Sequence, residues 1–317
     1  MKQTTFTLLL LSVIGLVSCR KKNVNLDIRQ YDEQQIQNYI ASHGLTGKMI
    51  EDHSGGDTTG MWYEPLTQGR ALTIDTLTDT SKISAVFTLS SFDGLYTSTD
   101  TIQNHYCNYI GHIVTQGLPY GLQIALLNDL KYNGGSMRIL IPSRMAYGIT
   151  GTGSGSKENA NSHIAGNQCL DYYVHLITNE PGYDDLVIQN YMKSQSLTGY
   201  TKVYSPQPAS QPYYYKILKP GNGNADISDN SIIETTYTGT LMDNVVFDGA
   251  NNGADSVSLQ IPNLIRGVQY GLTYASGGSG LTSLLIPSGL AYGQTATTGV
   301  PVNSCLRFEF EIYSITN

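Results

Sequence analysis

The chain has 317 residues and a formal net charge of −7 at pH 7. The length suggests two domains, and the charge argues against nucleic acid as the main partner. Its 33 glycines and 23 tyrosines, against 6 phenylalanines and 1 tryptophan, indicate a turn-rich architecture of half-buried β-strands. Three cysteines follow Cys19, an odd number that excludes a closed disulfide framework.

The N-terminal residues have the pattern of an export signal. The apolar run from Phe6 to Val17 is too short to cross a bilayer as a helix. It ends in Leu-Val-Ser followed by Cys19, which resembles the lipobox of bacterial lipoproteins. The resemblance implies a signal peptide over residues 1–18, an acylated Cys19 that begins a tether over residues 19–25, and a location at the outer membrane of the cell envelope. The alternative is an ordinary cleaved secretory signal that happens to end near a cysteine.

Residues 31–47 and 183–199 are similar to each other, and each stretch predicts a short helix. Asp32 and Asp184 have the residue type and position of N-caps, and a glutamine three residues after Asp32 can close a capping box. The tyrosine before each aspartate and the isoleucine four residues after it have the spacing of a hydrophobic staple. Gly44 is a suitable stop for the first helix.

A second repeated pattern follows each helix, in the same order in both halves of the chain. We therefore expect a duplicated chain with units over residues 26–180 and 181–317. A cysteine occurs at the matching place in each unit, which favours a buried core thiol over a reactive one. The matched elements are Gly117-x-x-x-Gly121 with Gly267-x-x-x-Gly271, Ile141-Pro142 with Ile286-Pro287, Tyr147 with Tyr292, and Cys169 with Cys305.

Residues 211–317 resemble an FKBP-type peptidyl-prolyl cis-trans isomerase domain over nearly its full length. The resemblance rests on Tyr-Thr-Gly at Tyr237, Phe-Asp at Phe247, Ile-Arg-Gly at Ile265 and Ala-Tyr-Gly around Tyr292, in that order. It implies an α+β fold in which an antiparallel sheet wraps around one short helix. Together with the repeat, it predicts two tandem FKBP-like domains, each preceded by a short helix.

The resemblance also implies a site and its residues. The family binds a prolyl ring in an apolar cup, and Val268 lies where the family usually has a tryptophan floor. Val257 or Leu259 is expected to supply a further wall residue. The implied catalytic residues are Tyr237, Phe247, Asp248, Ile265, Tyr292 and Phe308, and the implied substrate-binding residues are Leu264, Val268 and Val300.

The chemistry that such a cup can perform needs no cofactor. Rotation about an Xaa-Pro bond has a barrier of about 18–20 kcal/mol but breaks no covalent bond. A dry apolar wall favours the twisted amide, and fixed donors hold the flanking carbonyls. The expected partners are Xaa-Pro-containing polypeptides. No metal is expected, because the six histidines lie in the first unit without a supporting ligand pattern.

The first unit is a degenerate copy by the same comparison. Phe87 stands in the place of Tyr237 without its hydroxyl, and Tyr96-Thr97 replaces Phe247-Asp248, so the acidic residue is lost. Leu118 is expected at the floor position, and Ile164-Ala165 replaces Val300-Pro301. Binding, spacing or dimerisation are the expected uses of this unit.

Two functions remain open from the sequence. The first is a membrane-tethered prolyl isomerase that assists the folding of exported proteins through its C-terminal unit. The second is a catalytically weak or inactive FKBP-like lipoprotein that binds peptide or protein. The retained Tyr237, Asp248 and Tyr292 favour the first function, whereas Val268 and the degraded first unit favour the second. Each pocket residue, taken alone, is better explained by ordinary core packing or a turn, and only the combination of residues favours a site.

Overall fold

The computed structural model describes residues 27–54, 59–69, 76–99, 101–153, 163–206, 210–223, 226–250 and 256–317. The expected signal peptide, Cys19 and the tether lie outside the described residues. The chain forms two units of the same architecture. Each unit begins with a helix, which is followed by a seven-stranded antiparallel sheet and one short helix packed against that sheet.

The first unit begins with helix α1 (Ile28–Ser42) and ends with strand β9. A short helix, α2, lies between the fifth and sixth strands and continues into a π-helical turn, Leu126–Leu130. The elements are β1 (Ile50–Glu51), β2 (Trp62–Thr67), β3 (Lys82–Ser91), β4 (Thr97–Ser98), β5 (His105–Tyr109), α2 (Tyr120–Ala125), β6 (Ser136–Ile141), β7 (Thr152–Gly153), β8 (His163–Ile164) and β9 (Leu170–Leu176).

The second unit begins with helix α3 (Glu180–Ser194) and ends with the long strand β16. Its short helix, α4, again lies between the fifth and sixth strands of the sheet. The elements are β10 (Thr201–Tyr204), β11 (Pro212–Lys219), β12 (Ile232–Leu241), β13 (Val246–Ala250), β14 (Val257–Gln260), α4 (Arg266–Leu272), β15 (Gly280–Ile286) and β16 (Leu306–Thr316).

The two sheets have the same strand order. The first runs β1-β2-β6-β9-β3-β4 with β5 also paired to β3, and the second runs β10-β11-β15-β16-β12-β13 with β14 also paired to β12. Every pairing is antiparallel. The predicted α+β fold of two tandem domains, each with a preceding helix, is therefore confirmed.

Small residues let each short helix lie close to its sheet. A Cβ atom added to Gly267 would lie 2.2 Å from Ile286 Cγ2, and one added to Gly271 would lie 2.6 Å from Leu284 Cδ2. Ile286 and Leu284 both lie on β15 and are fully buried. Helix α4 therefore contacts the sheet through its glycine face.

The same contact identifies an error in the predicted repeat. A Cβ atom added to Gly121 would lie 2.6 Å from Ile141 Cγ2, so Gly121 corresponds to Gly267 and not to Gly271. Gly117 lies before helix α2 in a left-handed turn, with φ of 81°. The glycine spacing spans about one helical turn, so matching by spacing shifted the alignment by four residues. Leu122, rather than Leu118, therefore occupies the floor position of the first unit.

The predicted caps of the two leading helices are also wrong. Helix α1 begins one residue after Asp27, and α3 begins after Asn179, whose side chain accepts a hydrogen bond from the Gly182 amide. Asp32 and Asp184 lie inside the helices and are almost completely buried. The capping box and the hydrophobic staples are therefore absent at the positions expected.

The two buried aspartates instead attach each leading helix to its own domain. Asp184 accepts hydrogen bonds from the Ser288 amide at 2.8 Å and from the Ser288 hydroxyl at 2.7 Å. Asp32 accepts one from the Ser143 hydroxyl at 2.7 Å. Each serine follows the repeated Ile-Pro step, so the contact is the same in both units. Burial of charge without such partners would be strongly unfavourable.

Cys169 and Cys305 lie next to these aspartates. Both are buried free thiols, as the repeat predicts. The Cys169 sulfur lies 3.6 Å from Asp32 Oδ1, and the Cys305 sulfur lies 3.8 Å from the Asp184 carbonyl oxygen. Burial raises the pKa of Cys169 to about 12, so the thiol stays protonated and unreactive at neutral pH.

The two units contact each other through polar and apolar groups. His105 donates from Nδ1 to the Val302 carbonyl oxygen at 2.6 Å, and Asn303 donates to the Ser84 hydroxyl at 3.0 Å. Ile102, from the loop after β4, packs against the apolar cores of the second unit. Strands β3 and β5 and the loop after β4 in the first unit, together with the segment before β16 in the second, therefore form this contact.

A half-buried carboxyl in the first unit predicts a pH dependence of stability. Asp129 Oδ2 is buried and has no hydrogen-bond partner among the described residues. Burial, and then the nearby charge of Asp52, raise the pKa of Asp129 to about 7. The folded state therefore holds this proton more tightly than the unfolded chain, and the associated stability is lost as the pH rises from about 4 through 7.

We expect Asp129→Asn to remove this loss. The variant should be more stable than the parent at pH 8 by about 1–2 kcal/mol, a value reduced to allow for solvent screening of a half-buried group. The gain should disappear near pH 4. Urea unfolding at both pH values measures the free energy of unfolding of the parent and the variant. Glu51→Gln, which removes an exposed carboxyl, is the control. An equal effect of Asp129→Asn at both pH values would contradict this assignment.

Candidate functional site

The concave face of the second sheet holds a cavity of about 180 Å³ over helix α4. Seven of the nine predicted site residues line it. They come from six separate parts of the domain, because strands β12, β13 and β16, the residues before α4, helix α4 itself and the loop after β15 converge on this face. The lining consists of Tyr237, Asp248, Leu259, Asn263, Leu264, Ile265, Val268, Tyr292, Phe308 and Phe310.

The other two predicted residues, Phe247 and Val300, lie outside this lining. The Phe247 ring meets the Phe308 ring edge to face, with centroids 5.7 Å apart. Val300 is 3% exposed and belongs to the domain core. A Cβ atom added to Gly299 would lie 3.2 Å from Phe247 Cβ, so this segment packs closely behind the wall. These residues support the cavity from behind.

A hydrogen bond joins the two polar groups at one edge of the cavity. Tyr237 donates from its hydroxyl to Asp248 Oδ2 at 3.0 Å, and Asp248 Oδ1 accepts from the Gly249 amide at 2.9 Å. Burial, then the hydrogen bond to Asp248, raise the pKa of Tyr237 to about 12. The tyrosine therefore remains a donor at neutral pH, and it holds the carboxylate in one orientation.

Tyr292 supplies a second hydroxyl from the loop after β15. Burial and the Asp248 charge raise the pKa of Tyr292 above its usual value, so it too stays protonated. Among the described residues, no group accepts a hydrogen bond from this hydroxyl. A substrate carbonyl that enters the cavity can accept that bond.

The Ile265 backbone provides a second available donor. Ile265 precedes helix α4 in an extended conformation, with φ of −62° and ψ of 148°. Its carbonyl oxygen accepts from the Val268 and Gln269 amides at 3.0 and 3.1 Å, whereas no described residue accepts a hydrogen bond from its amide. The amide is therefore available to a ligand.

Sequence reasoning missed Gln269 and Phe310. Gln269 donates from Nε2 to the Leu264 carbonyl oxygen at 2.6 Å, which holds the turn that presents Ile265. Phe310 lies beside the Tyr237 ring, with centroids 5.5 Å apart. The alternation of Phe308 and Phe310 along β16 places both on one face, and this pattern was a usable signal.

The first unit has a cavity at the matching place, with a volume of about 280 Å³. Leu89 on β3 corresponds to Gly239 on β12, because each pairs with the matching position of the last strand of its unit. Leu89 pairs with Ser98 of β4, and Gly239 pairs with Asp248 of β13, so Ser98 lies at the position of Asp248. The expectation that Thr97 holds this position is wrong by one residue. The reason is a register shift at Phe247, which adds a residue to β13 that β4 lacks.

Other kinds of site were also sought in the described ranges. They contain no cluster of three or more His, Cys, Asp or Glu side chains arranged to hold a metal ion. No helix within them is long and apolar enough to cross a membrane.

The second unit matches a known family by sequence. Residues 223–313 match the family model described as FKBP-type peptidyl-prolyl cis-trans isomerase. The FKBP-type isomerase FkpA of Buchnera aphidicola from Acyrthosiphon pisum is 33% identical over 127 residues, which are 40% of this chain and 50% of that protein. FkpA of Escherichia coli K12 is 33% identical over 101 residues, which are 32% of this chain and 37% of that protein. The chain thus matches half or less of these two relatives.

Longer but weaker similarities also occur. FkpA of Buchnera aphidicola from Baizongia pistaciae is 26% identical over 242 residues, which are 70% of this chain and 90% of that protein. The crystal structure of FkpA from Escherichia coli is 24% identical and covers 43% of this chain and 61% of its own, with a TM-score of 0.35. The matched segment, the sheet wrapped around helix α4 and the convergent cavity agree, and the C-terminal unit is a domain of the FKBP-type peptidyl-prolyl cis-trans isomerase family.

Proposed function

We propose that the protein is a peptidyl-prolyl cis-trans isomerase and that the cavity of the second unit is its active site. The observation that carries the proposal is one apolar cup with two available donors on its rim. These donors are the hydroxyl of Tyr292 and the amide of Ile265, whereas the Tyr237 hydroxyl donates to Asp248. The substrates are polypeptides that contain an Xaa-Pro bond.

The proposed mechanism uses desolvation and positioning. The prolyl ring enters over Val268 and contacts Phe308, where water is excluded. Twisting the amide removes its resonance and reduces the charge on its oxygen, so an apolar surface stabilises the twisted form relative to the planar one. The Ile265 amide and Tyr292 hydroxyl bind neighbouring carbonyls and hold the peptide in a turn. No covalent intermediate is needed.

Asp248 has a supporting role in this mechanism. Its carboxylate is oriented by the Tyr237 hydroxyl and the Gly249 amide, beside the entrance of the cavity. A fixed negative charge there repels the substrate carbonyl oxygen in its planar, most negative form. The repulsion weakens as the amide twists, so it favours the transition state over the ground state.

The test measures cis-trans isomerisation of the Leu-Pro bond of succinyl-Ala-Leu-Pro-Phe-p-nitroanilide in the presence of the full chain. We expect acceleration above the uncatalysed rate, and we expect Tyr292→Phe and Asp248→Ala each to lower kcat/KM by about tenfold, which corresponds to about 1.4 kcal/mol of transition-state stabilisation. Tyr147→Phe makes the same change at the matching position of the first unit, and we expect it to leave kcat/KM unchanged.

The outcomes separate the two candidate functions. If the chain binds a prolyl ketoamide in the second unit but does not accelerate isomerisation, it is a binding module and the enzymatic proposal fails. If Tyr147→Phe lowers the rate while Tyr292→Phe does not, the first unit is the active one. If the chain neither binds the prolyl ketoamide nor accelerates isomerisation of the peptide, the cavity is not a prolyl site.

We further propose that the protein acts on exported proteins while anchored to the outer membrane through Cys19. The support is the export signal followed by the lipobox-like residues before Cys19. Acyl chains contribute about 0.8 kcal/mol per buried CH₂, so two or three chains would hold the protein firmly at a bilayer. Mass spectrometry of the mature N-terminus should detect acylated Cys19, and Cys19→Ala should move the protein out of the membrane fraction. An unmodified N-terminus would contradict the anchor.

A further inference from the structure

The cavity of the first unit has a different chemistry from that of the second. Its wall combines apolar side chains, including Phe87, Leu118 and Ile164, with neutral polar ones, and none of the described lining residues is charged. The volume of about 280 Å³ exceeds the 180 Å³ of the second unit. The neutral polar lining residues are Tyr96, Asn104, Tyr147, Thr152 and Tyr172.

Tyr172 is the residue that distinguishes this cavity. It pairs with Leu89 across β9 and β3, as Phe308 pairs with Gly239 across β16 and β12, so Tyr172 stands at the position of Phe308. The side chain is fully buried, and its hydroxyl has no partner of hydrogen-bonding geometry among the described residues. The substitution thus adds one polar atom to a buried wall.

Other neutral groups surround this hydroxyl. Burial, and then the neighbouring Tyr147 hydroxyl, raise the pKa of Tyr172 well above its usual value, and Tyr96 contributes less. The Tyr147 hydroxyl is the polar group beside Tyr172, but their contact lacks the geometry of a hydrogen bond. The side-chain amide of Asn104 donates to the Ser98 hydroxyl at 2.5 Å, and no described residue donates to the Asn104 amide oxygen. The cavity therefore has hydroxyl donors and an amide acceptor, and no formal charge on its lining.

A buried hydroxyl without a partner is a rare and unfavourable feature of a folded protein. A ligand with an oxygen atom that reaches it removes this cost on binding. A ligand of the same shape without that oxygen leaves the hydroxyl unpaired, and sites of this kind discriminate strongly between two such ligands.

We propose that the cavity of the first unit binds an uncharged, ring-shaped ligand that carries an oxygen hydrogen-bond acceptor, and that Tyr172 selects for that oxygen. The ring occupies the cup between Phe87, Leu118 and Ile164, where the second unit would take an unsubstituted prolyl ring. A hydroxylated prolyl ring and a sugar pyranose share this chemistry. The inference does not depend on catalysis by the second unit.

The test uses the full chain with carbon-13-labelled methyl groups of isoleucine, leucine and valine. The methyl signals of Leu118 and Ile164 report on the first unit, and those of Leu264 and Val268 report on the second. The probes are N-acetyl-4-hydroxyproline methylamide, N-acetylproline methylamide, which lacks only the ring oxygen substituent, and methyl β-D-glucopyranoside.

We expect at least one oxygen-bearing ring to shift the Leu118 and Ile164 signals, with a Kd at least tenfold lower than that of the proline probe. Which ring binds identifies the source of the ligand. Tyr172→Phe, which makes the first unit like the second at this position, should abolish the tenfold preference. Leu118→Trp, which fills the cup, should abolish the ligand-induced shift of the Ile164 signal.

Three results would overturn the proposal. The first is that neither oxygen-bearing probe shifts the first-unit signals. The second is that the proline probe binds there equally well. The third is that Tyr172→Phe keeps the preference. Unchanged methyl signals of Ile139 and Val174, in the core of the first unit, verify that this unit remains folded in each variant.

Discussion

Replacing Gly267 by alanine is expected to destabilise the C-terminal unit by about 2–3 kcal/mol and to abolish binding at its cavity. The new Cβ atom would lie 2.2 Å from Ile286 Cγ2, a distance that no packed structure tolerates. Ile286 is fully buried on β15 and cannot move aside freely. Helix α4 must therefore shift away from the sheet, and Ile265 and Val268 would move with it.

Urea unfolding of the full chain measures the stability, and the methyl signals of Leu264 and Val268 measure the cavity. Arg266→Ala is the matched control, because Arg266 is exposed in the same helix and its replacement should change stability by less than about 0.5 kcal/mol. The idea that a close helix-to-sheet contact shapes the cavity would be wrong if Gly267→Ala behaved like this control.

Replacing Asp184 by alanine is expected to cost about 3 kcal/mol at pH 7. Asp184 is 1% exposed and accepts hydrogen bonds from both the amide and the hydroxyl of Ser288. The variant leaves the Ser288 amide and hydroxyl buried without an acceptor. Burying an unsatisfied donor costs more free energy than the hydrogen bond itself contributes to stability. Helix α3 would lose its polar attachment to the segment that leads to Tyr292.

The cost should also depend on pH in a defined direction. Burial raises the pKa of Asp184 to about 6, so the folded state retains the proton more tightly than the unfolded chain. The stability that this group contributes is fully present below about pH 4 and is lost as the pH rises through 6. The difference between parent and Asp184→Ala should therefore grow as the pH falls from 8 to 4.

Urea unfolding of both proteins at pH 8, 6 and 4 tests this direction, because other titrating groups are common to both and cancel. Asn190→Ala, at an exposed position of the same helix, should show a small effect with no pH dependence. A difference that shrinks toward low pH would contradict the assignment of a raised pKa to Asp184.

Much of the second-unit site could be predicted from the sequence. Tyr237, Asp248, Ile265 and Tyr292 lie in short motifs whose order along the chain matches a known family. Each motif lies where a strand or helix meets the cavity, so motif order is enough to bring these residues together. The structure brings together seven of the nine predicted residues around one cavity.

The first unit was harder to predict, because its alignment depends on contacts that motifs do not encode. The one-turn shift at Gly117 and Gly121 was resolved only by the contact with Ile141. The shift at Ser98 was resolved only by its pairing with Leu89. A helix repeats its surface every turn and a bulge adds one residue, so sequence spacing leaves both choices open.

By itself the sequence determined that the chain is a duplication, that each half is a sheet with a short helix, and which side chains come together around one cavity near the C-terminus. Repeated apolar periodicity and motif order carry that information along the chain. Only the tertiary structure decided that Asp32 and Asp184 are buried acceptors instead of caps, and that Tyr172 places an unpaired hydroxyl in the wall of a second cavity. Burial and hydrogen-bond partnership are set by residues distant in sequence, because a polar side chain can be satisfied locally, by solvent or across the fold, and local pattern does not distinguish these cases.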